Sequence, residues 1–264
     1  MSYDLQREKG AARPAPSEEL ALSALSLDPH DWALFLDIDG TLLDLAETPE
    51  SIVVPASLPF DLGALSQKLG GALALVTGRS LSFVDPLFSP FRFPVAGLHG
   101  AERRDAAGHL TRVPISADFA EMKRAIAVEA ERWAGVLVED KGAAVAAHYR
   151  LAPEYRAEVE AMMQRYFAKA GPDWALQHGK MVVEIRPARA DKGQAVEAFL
   201  AEAPFKGRRP LAIGDDVTDE AMFHAVNRVG GHSLRVGSPG QQTHARGLIS
   251  SPAILRRTIS TLVS

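Results

Sequence analysis

The sequence contains no cysteine, which excludes disulfide frameworks, thiolate metal sites and cysteine nucleophiles. It also lacks any uncharged apolar run near the ~18–20 residues that a bilayer crossing requires. No long basic block occurs and the formal net charge is −4, so neither nucleic acid nor an anionic membrane is the expected partner. The first ten residues, MSYDLQREKG, include Asp4 and Glu8, and no apolar core follows them. They do not read as a secretory signal, and a cytoplasmic location is the expectation. No internal repeat or low-complexity tract is visible.

What is present is ordinary for a globular chain: 264 residues, 47% hydrophobic and 23% charged. That length allows one large domain or two modest ones around a sizeable core. Residues 1–30 are expected to form an N-terminal tail, with a short helix over 17–27 capped by Ser17.

Four short apolar runs each end in a loop of small or polar residues. Trp32–Asp37 leads into Ile-Asp-Gly-Thr, and Ala72–Val76 into Thr77-Gly-Arg-Ser. Phe93–Ala96 leads into Gly97-Leu-His-Gly-Ala-Glu102, and Pro210–Ile213 into Gly214-Asp-Asp-Val-Thr-Asp219. Short continuous runs of this kind read as buried strands of a parallel sheet. Helical patterns over 61–69, 81–88, 192–200 and 219–227 separate several of them. The alternation predicts a doubly wound, Rossmann-like α/β domain, with chemistry at the carboxyl ends of the strands.

The middle of the chain has a different texture. A helical stripe over 119–133 is followed by a hairpin pattern with Lys141-Gly142 as its turn. A second amphipathic helix is expected at about 153–170, then a strand in which Met181, Val183 and Ile185 alternate with Lys180, Val182, Glu184 and Arg186. The pattern predicts an α+β unit at 109–187 inserted between 31–108 and 188–264.

In Asp37-Ile-Asp-Gly-Thr41, two carboxylates at i and i+2 past a strand end can share one site. One can attack phosphorus and the other handle the leaving-group proton, with a hard cation offsetting the crowded charge. Gly40 allows a sharp turn that brings backbone amides towards an anion. A solvated strand-to-turn junction is the plainer alternative. Gly214-Asp-Asp-Val-Thr-Asp-Glu220 adds three aspartates after another strand, which are either solvated or bound to metal. Asp37, a main-chain oxygen of Asp39, Asp215 and several waters would suit Mg²⁺, which prefers oxygen ligands. Thr77 offers a hydroxyl to a phosphoryl oxygen, or a helix cap. Lys192 offers a point charge to the same group, or is a surface lysine at a helix start.

The ordered set Asp-x-Asp-Gly-Thr, Thr-Gly-Arg, Lys and Gly-Asp-Asp resembles the haloacid-dehalogenase superfamily of phosphatases, and the insertion resembles that superfamily's larger αβ cap. From about residue 32 to the end, the chain resembles more narrowly the trehalose-6-phosphate phosphatases. Four segments carry that likeness: Gly97–Glu102, Glu139-Asp-Lys141 with His148-Tyr-Arg150, Gly179–Pro187, and Gly214–Glu220. Where that family tends to carry an aromatic residue, within Thr243–Leu248, this chain has Gly247.

The resemblance implies Mg²⁺-dependent hydrolysis of trehalose 6-phosphate to trehalose and phosphate. Asp37 would be the nucleophile, Asp39 the acid and then the base, and Thr77 and Lys192 the phosphoryl-holding groups. Asp37, Asp39 and Asp215 would hold the metal, with Asp216 and Asp219 orienting them from behind. Substrate contacts are expected from Gly40, Gly78, Arg79, His99 and Glu102 in the core. From the inserted unit they are expected from Glu139, Lys141, His148, Arg150, Lys180, Glu184 and Arg186. The family context places a trehalose-6-phosphate synthase upstream and makes a monomer the expected form. A sucrose-phosphate phosphatase would share the core and differ in the inserted unit; a phosphomutase is a second alternative. An inactive regulatory domain would be expected to lack one of Asp37, Asp39, Lys192 or Asp215, and all four are present.

Overall fold

The computed structural model describes residues 28–46, 51–179, 181–188 and 190–264. The helix expected at 17–27, most of the tail, and Lys180 lie outside the described residues.

Strand β1, Trp32–Leu36, has all five residues buried, because it is interior in a sheet covered on both faces. It pairs in parallel with β10 (Arg209–Gly214) on one side and β2 (Leu73–Val76) on the other. Leu34 and Leu36 point to one face, where they join residues of α1 (Leu58–Lys68), α2 (Leu81–Leu87) and α7 (Pro252–Val263). Phe35 points to the other face and packs with Phe199 of α5 (Lys192–Leu200) and Phe223 of α6 (Glu220–Arg228). Two-sided burial explains the unbroken apolar runs in the sequence.

The large sheet has the order β12-β11-β10-β1-β2-β3-β4-β5. Here β3 is Val95–Gly97, β4 Glu102–Arg104, β5 Leu110–Arg112, β11 His232–Val236 and β12 Gly247–Ile249. Among the described strands of this sheet β4 alone is reversed, pairing antiparallel with both β3 and β5. Gly247 opens β12 opposite Leu234. This is the doubly wound α/β core expected from the alternation and the superfamily resemblance.

The second sheet is antiparallel throughout, in the order β6 (Leu137–Asp140), β7 (Val145–His148), β9 (Val182–Pro187), β8 (Trp174–Gly179). Helices α3 (Ala117–Ala130) and α4 (Arg156–Ala170) cover one face through Phe119, Ile126, Val159, Met162, Met163, Val183 and Ile185. The expected α+β unit is therefore present, with one change at its start. Residues 110–112 pair with β4 and belong to the large sheet, so the second unit's first element is α3 at Ala117. Three exposed residues, Leu-Thr-Arg, carry no pattern that distinguishes an edge hairpin from a linker. Strand β8 is likewise absent from the sequence reading.

Register decides which side chains share the open face of the second sheet. Glu139 lies opposite Ala146, Ala146 opposite Glu184, and Glu184 opposite Gln177. One row across four strands thus carries two carboxylates and an amide, separated by an alanine small enough to leave space between them. Alternation along each strand adds His148 and Arg186 to the same face.

Candidate active site

The carboxyl ends of β1 and β10 deliver Asp37 and Asp215 to one point, as the parallel order requires. Helix α5 starts beside them because Asp191 caps it, its Oδ1 accepting from the Gln194 amide at 2.8 Å. That cap puts Lys192 on the first turn, almost fully buried. Its Nζ donates to Asp37 Oδ1 at 2.7 Å and to Asp219 Oδ1 at 2.6 Å. The other Asp219 oxygen, Oδ2, accepts from the backbone amides of Asp215 at 2.9 Å and Asp216 at 3.0 Å. Asp216 in turn caps the same short turn, in a reciprocal pairing with Asp219. Both Asp219 oxygens are occupied, so this residue holds the cluster together.

Ligand oxygens of Asp37, Asp215 and Asp219 all lie within 4.8 Å of one another. Burial pushes the Asp37 carboxyl well above its usual range; Lys192 opposes this, and Asp219 and Asp215 add to it. Burial likewise pushes Asp215 up to about 7, with the Asp219 charge adding and Lys192 opposing. Burial alone would lower the Lys192 ammonium, but Asp219 and Asp37 outweigh it and raise its pKa. Three carboxylates around one ammonium leave an excess of negative charge in a buried, all-oxygen site. Such a donor set fits a hard divalent cation: Asp37 and Asp215 have ligand capacity free, while Asp219 is already engaged. Thr41, absent from the sequence-based candidates, joins the two strand ends. Its hydroxyl lies 3.1 Å from Asp215 Oδ1 and 3.5 Å from Asp37 Oδ2.

The Asp39 side chain does not enter this cluster. Arg79 takes it side-on, Nε to Oδ2 and Nη2 to Oδ1, both at 2.6 Å. Arg79 follows β2 in Thr77-Gly78-Arg79; its amide donates to Thr77 Oγ1 at 3.2 Å and its guanidinium stacks over the Phe83 ring. Thr77 itself is buried at the strand end. Gly78 lies beneath the His99 imidazole, where a Cβ would sit 2.8 Å from the ring.

Of the two loop residues expected near the cleft, one reaches it. His99 is buried in a left-handed backbone conformation, and its Nδ1 has no partner. Burial, then Lys192, Lys141 and Arg186, hold its pKa well below the usual value, so the ring is neutral. Glu102 instead receives the Leu81 amide at the start of α2 and Arg112 Nε at 3.3 Å. Its position supports the loop between β2 and α2.

The second sheet contributes a connected polar row. Lys141 Nζ donates to Glu184 Oε2 at 3.0 Å and lies 3.9 Å from Glu139. Burial would lower Lys141, but Glu184 and Glu139 hold it above its usual value. His148 Nε2 pairs with Glu139 at 3.0 Å. Glu184 Oε1 is buried without a hydrogen-bond partner. Arg186 Nε donates to Gln177 Oε1 at 2.6 Å, and its Nη1 reaches the carbonyls of Pro187 and Ala190. Arg150 donates to the Ala46 carbonyl at 2.9 Å, in the loop after the Asp37 motif. Gln177 also escaped sequence reasoning, because β8 has no alternating pattern to announce it.

The two sets meet. A cleft of about 200 Å³ is lined by Gln177 and Arg186 from the second sheet and by His99, Asp191, Lys192, Val217, Thr218 and Ala221 from the core. Lys192, which bonds Asp37 and Asp219, is the point at which this cleft touches the acid cluster.

A family model described as trehalose-phosphatase matches residues 35–245. The chain is 61% identical over 252 residues to a probable trehalose-phosphate phosphatase of Sinorhizobium fredii, covering 96% of this chain and 95% of that one. It is 42% identical over 219 residues to the trehalose-6-phosphate phosphatase of Escherichia coli, covering 81% of each. Among solved structures, the C-terminal domain of a Candida albicans trehalose-6-phosphate phosphatase superposes with a TM-score of 0.81 at 22% identity. That match covers 96% of this chain and 99% of the other. On the family model and these identities, the chain belongs to the trehalose-phosphatase family.

Proposed function

We propose that the chain hydrolyses trehalose 6-phosphate by two displacements at Asp37. The observation that carries this reading is the cleft in which Lys192 and His99 of the core face Gln177 and Arg186 of the second sheet.

In the first displacement an Asp37 oxygen attacks phosphorus and the bond from phosphorus to the sugar oxygen breaks. The sugar oxygen takes the proton held by Asp39 and leaves as a hydroxyl. In the second, water attacks the phosphorus of the aspartyl-phosphate and gives its proton to the Asp39 carboxylate. The bond from phosphorus to Asp37 then breaks, releasing phosphate and restoring both acids. Lys192 and Thr77 hold the equatorial oxygens and offset their charge. A Mg²⁺ ion, when bound by Asp37, Asp215 and the Asp39 main-chain oxygen, would neutralise phosphoryl charge. Asp219 keeps Lys192 and the Asp215 backbone in place, and Asp216 fixes the turn carrying both. Glu139, Lys141, His148, Glu184, Arg186 and Gln177 recognise sugar hydroxyls, a task that needs converging donors and acceptors because the disaccharide carries no other charge.

Phosphate release from trehalose 6-phosphate, sucrose 6-phosphate, glucose 6-phosphate and p-nitrophenyl phosphate, with Mg²⁺ or with EDTA, tests this. The highest kcat/KM is expected for trehalose 6-phosphate, and none with EDTA. A preference for sucrose 6-phosphate would reassign the substrate, and no release from any compound would remove the enzymatic reading.

A further inference from the structure

We infer that Arg79 is a positioning residue for the acid/base carboxylate of Asp39 and not a group that binds the substrate. This rests on the proposed role of Asp39. The side-on geometry is the first ground: Nε and Nη2 each take one carboxylate oxygen at 2.6 Å. A planar fork of that kind fixes the plane of the carboxylate as well as its place, which a point charge could not do. It uses one acceptor site on each oxygen and leaves another on each for a proton in transit. The Asp39 side chain is still 28% exposed.

Arg79 is itself held at three points. Its amide donates to Thr77 Oγ1 at 3.2 Å, its carbonyl accepts from the Leu98 amide at 3.0 Å, and its guanidinium lies 4.1 Å from the Phe83 ring centroid. A residue gripped at both ends of its backbone and stacked at its head has little freedom to follow a ligand.

Kinetics of Arg79→Gln, Arg79→Lys, Asp39→Asn and the double variant Arg79→Gln/Asp39→Asn test the inference. Arg79→Gln should lower kcat for trehalose 6-phosphate by about 10- to 100-fold, with KM and the Mg²⁺ requirement nearly unchanged. With p-nitrophenyl phosphate, which needs no acid to leave, it should release about one nitrophenol per site quickly and then turn over slowly, since the second displacement still needs Asp39 as base. In the Asp39→Asn background the same substitution should change kcat by less than about twofold, because its effect passes through Asp39. Arg79→Lys, keeping the charge without the fork, should fall between Arg79→Gln and the parent. A rise in KM with kcat kept, multiplying losses in the double variant, or a fully active Arg79→Lys would each overturn the inference. If circular dichroism shows Arg79→Gln unfolded, Arg79→Lys carries the same test. Wild-type turnover by Asp39→Asn would remove the acid/base reading itself. A slow Asp39→Asn with multiplying losses would remove only the role of Arg79.

Discussion

Gly40 and Asp215 approach so closely that a Cβ on Gly40 would sit 2.1 Å from Asp215 Oδ2. The glycine also has φ +77°, a conformation that L side chains adopt at a cost. The turn after β1 is thus built around the carboxylate at the end of β10. Gly40→Ala should displace Asp215 and raise the Mg²⁺ concentration for half-maximal activity by about tenfold or more. Metal titration of the activity measures this, and an unchanged requirement would mean that Asp215 is not a ligand.

Lys192 supplies the only cation hydrogen-bonded to Asp37 among the described residues, and it also bonds Asp219. In Lys192→Met the two carboxylates would remain buried without it. Breaking one partner out of a buried ionic group costs on the order of 3–5 kcal/mol. The urea midpoint in EDTA should fall accordingly, and turnover should be lost. A variant as stable as the parent would show that the cluster does not depend on this ammonium.

The raised Asp215 predicts how pH and metal are linked. Burial pushes it up to about 7 in the folded chain, above the ordinary aspartate value of 3.8 that the unfolded chain keeps. Between those values the folded chain holds a proton that the unfolded chain has released, so metal-free stability falls as pH rises through that window. Asp37 is shifted in the same direction. A cation must displace the Asp215 proton, so apparent Mg²⁺ affinity should weaken at least about tenfold per pH unit below about 7. Calorimetric titration in buffers of different ionisation enthalpy should show proton release at pH 6. Binding without proton release would contradict the assignment of the site.

The buried Glu184 Oε1 has no partner, while Oε2 is paired with Lys141 at 3.0 Å. An acceptor left open in this way suits a sugar hydroxyl. Glu184→Ala should reduce kcat/KM for trehalose 6-phosphate by roughly five- to a hundredfold and leave p-nitrophenyl phosphate nearly unaffected. Parallel loss on both substrates, with the circular dichroism unchanged, would remove Glu184 from sugar recognition.

The strand ends were legible because interior parallel strands must be apolar throughout, so the first polar residues after Leu36, Val76 and Ile213 stand out. Asp37, Asp39, Thr77 and Asp215 stood out as candidates on that ground, whereas Lys192, at a helix start, became one only through the ordered set of motifs. The alternation of Val183 and Ile185 with Glu184 and Arg186 likewise announced a strand with one apolar and one polar face. Strand β8 was not legible, since Trp174–Gly179 is half-buried along most of its length and carries no alternation. The β4–β5 hairpin was missed for a related reason, because Leu110, Thr111 and Arg112 are all exposed at the sheet edge.

By itself the sequence determined the interior parallel strands of the core, the residue types at their ends and the two faces of β9, because these follow from burial and local periodicity. Only the tertiary structure decided partnerships across the chain. Lys192 meets Asp37 155 residues away, and Arg79 clamps Asp39 across 40. Glu139, Ala146, Glu184 and Gln177 fall into one row only through the register of four strands. Hydrogen-bond geometry and close packing select those partners, and both act between atoms that the chain brings together only when it folds.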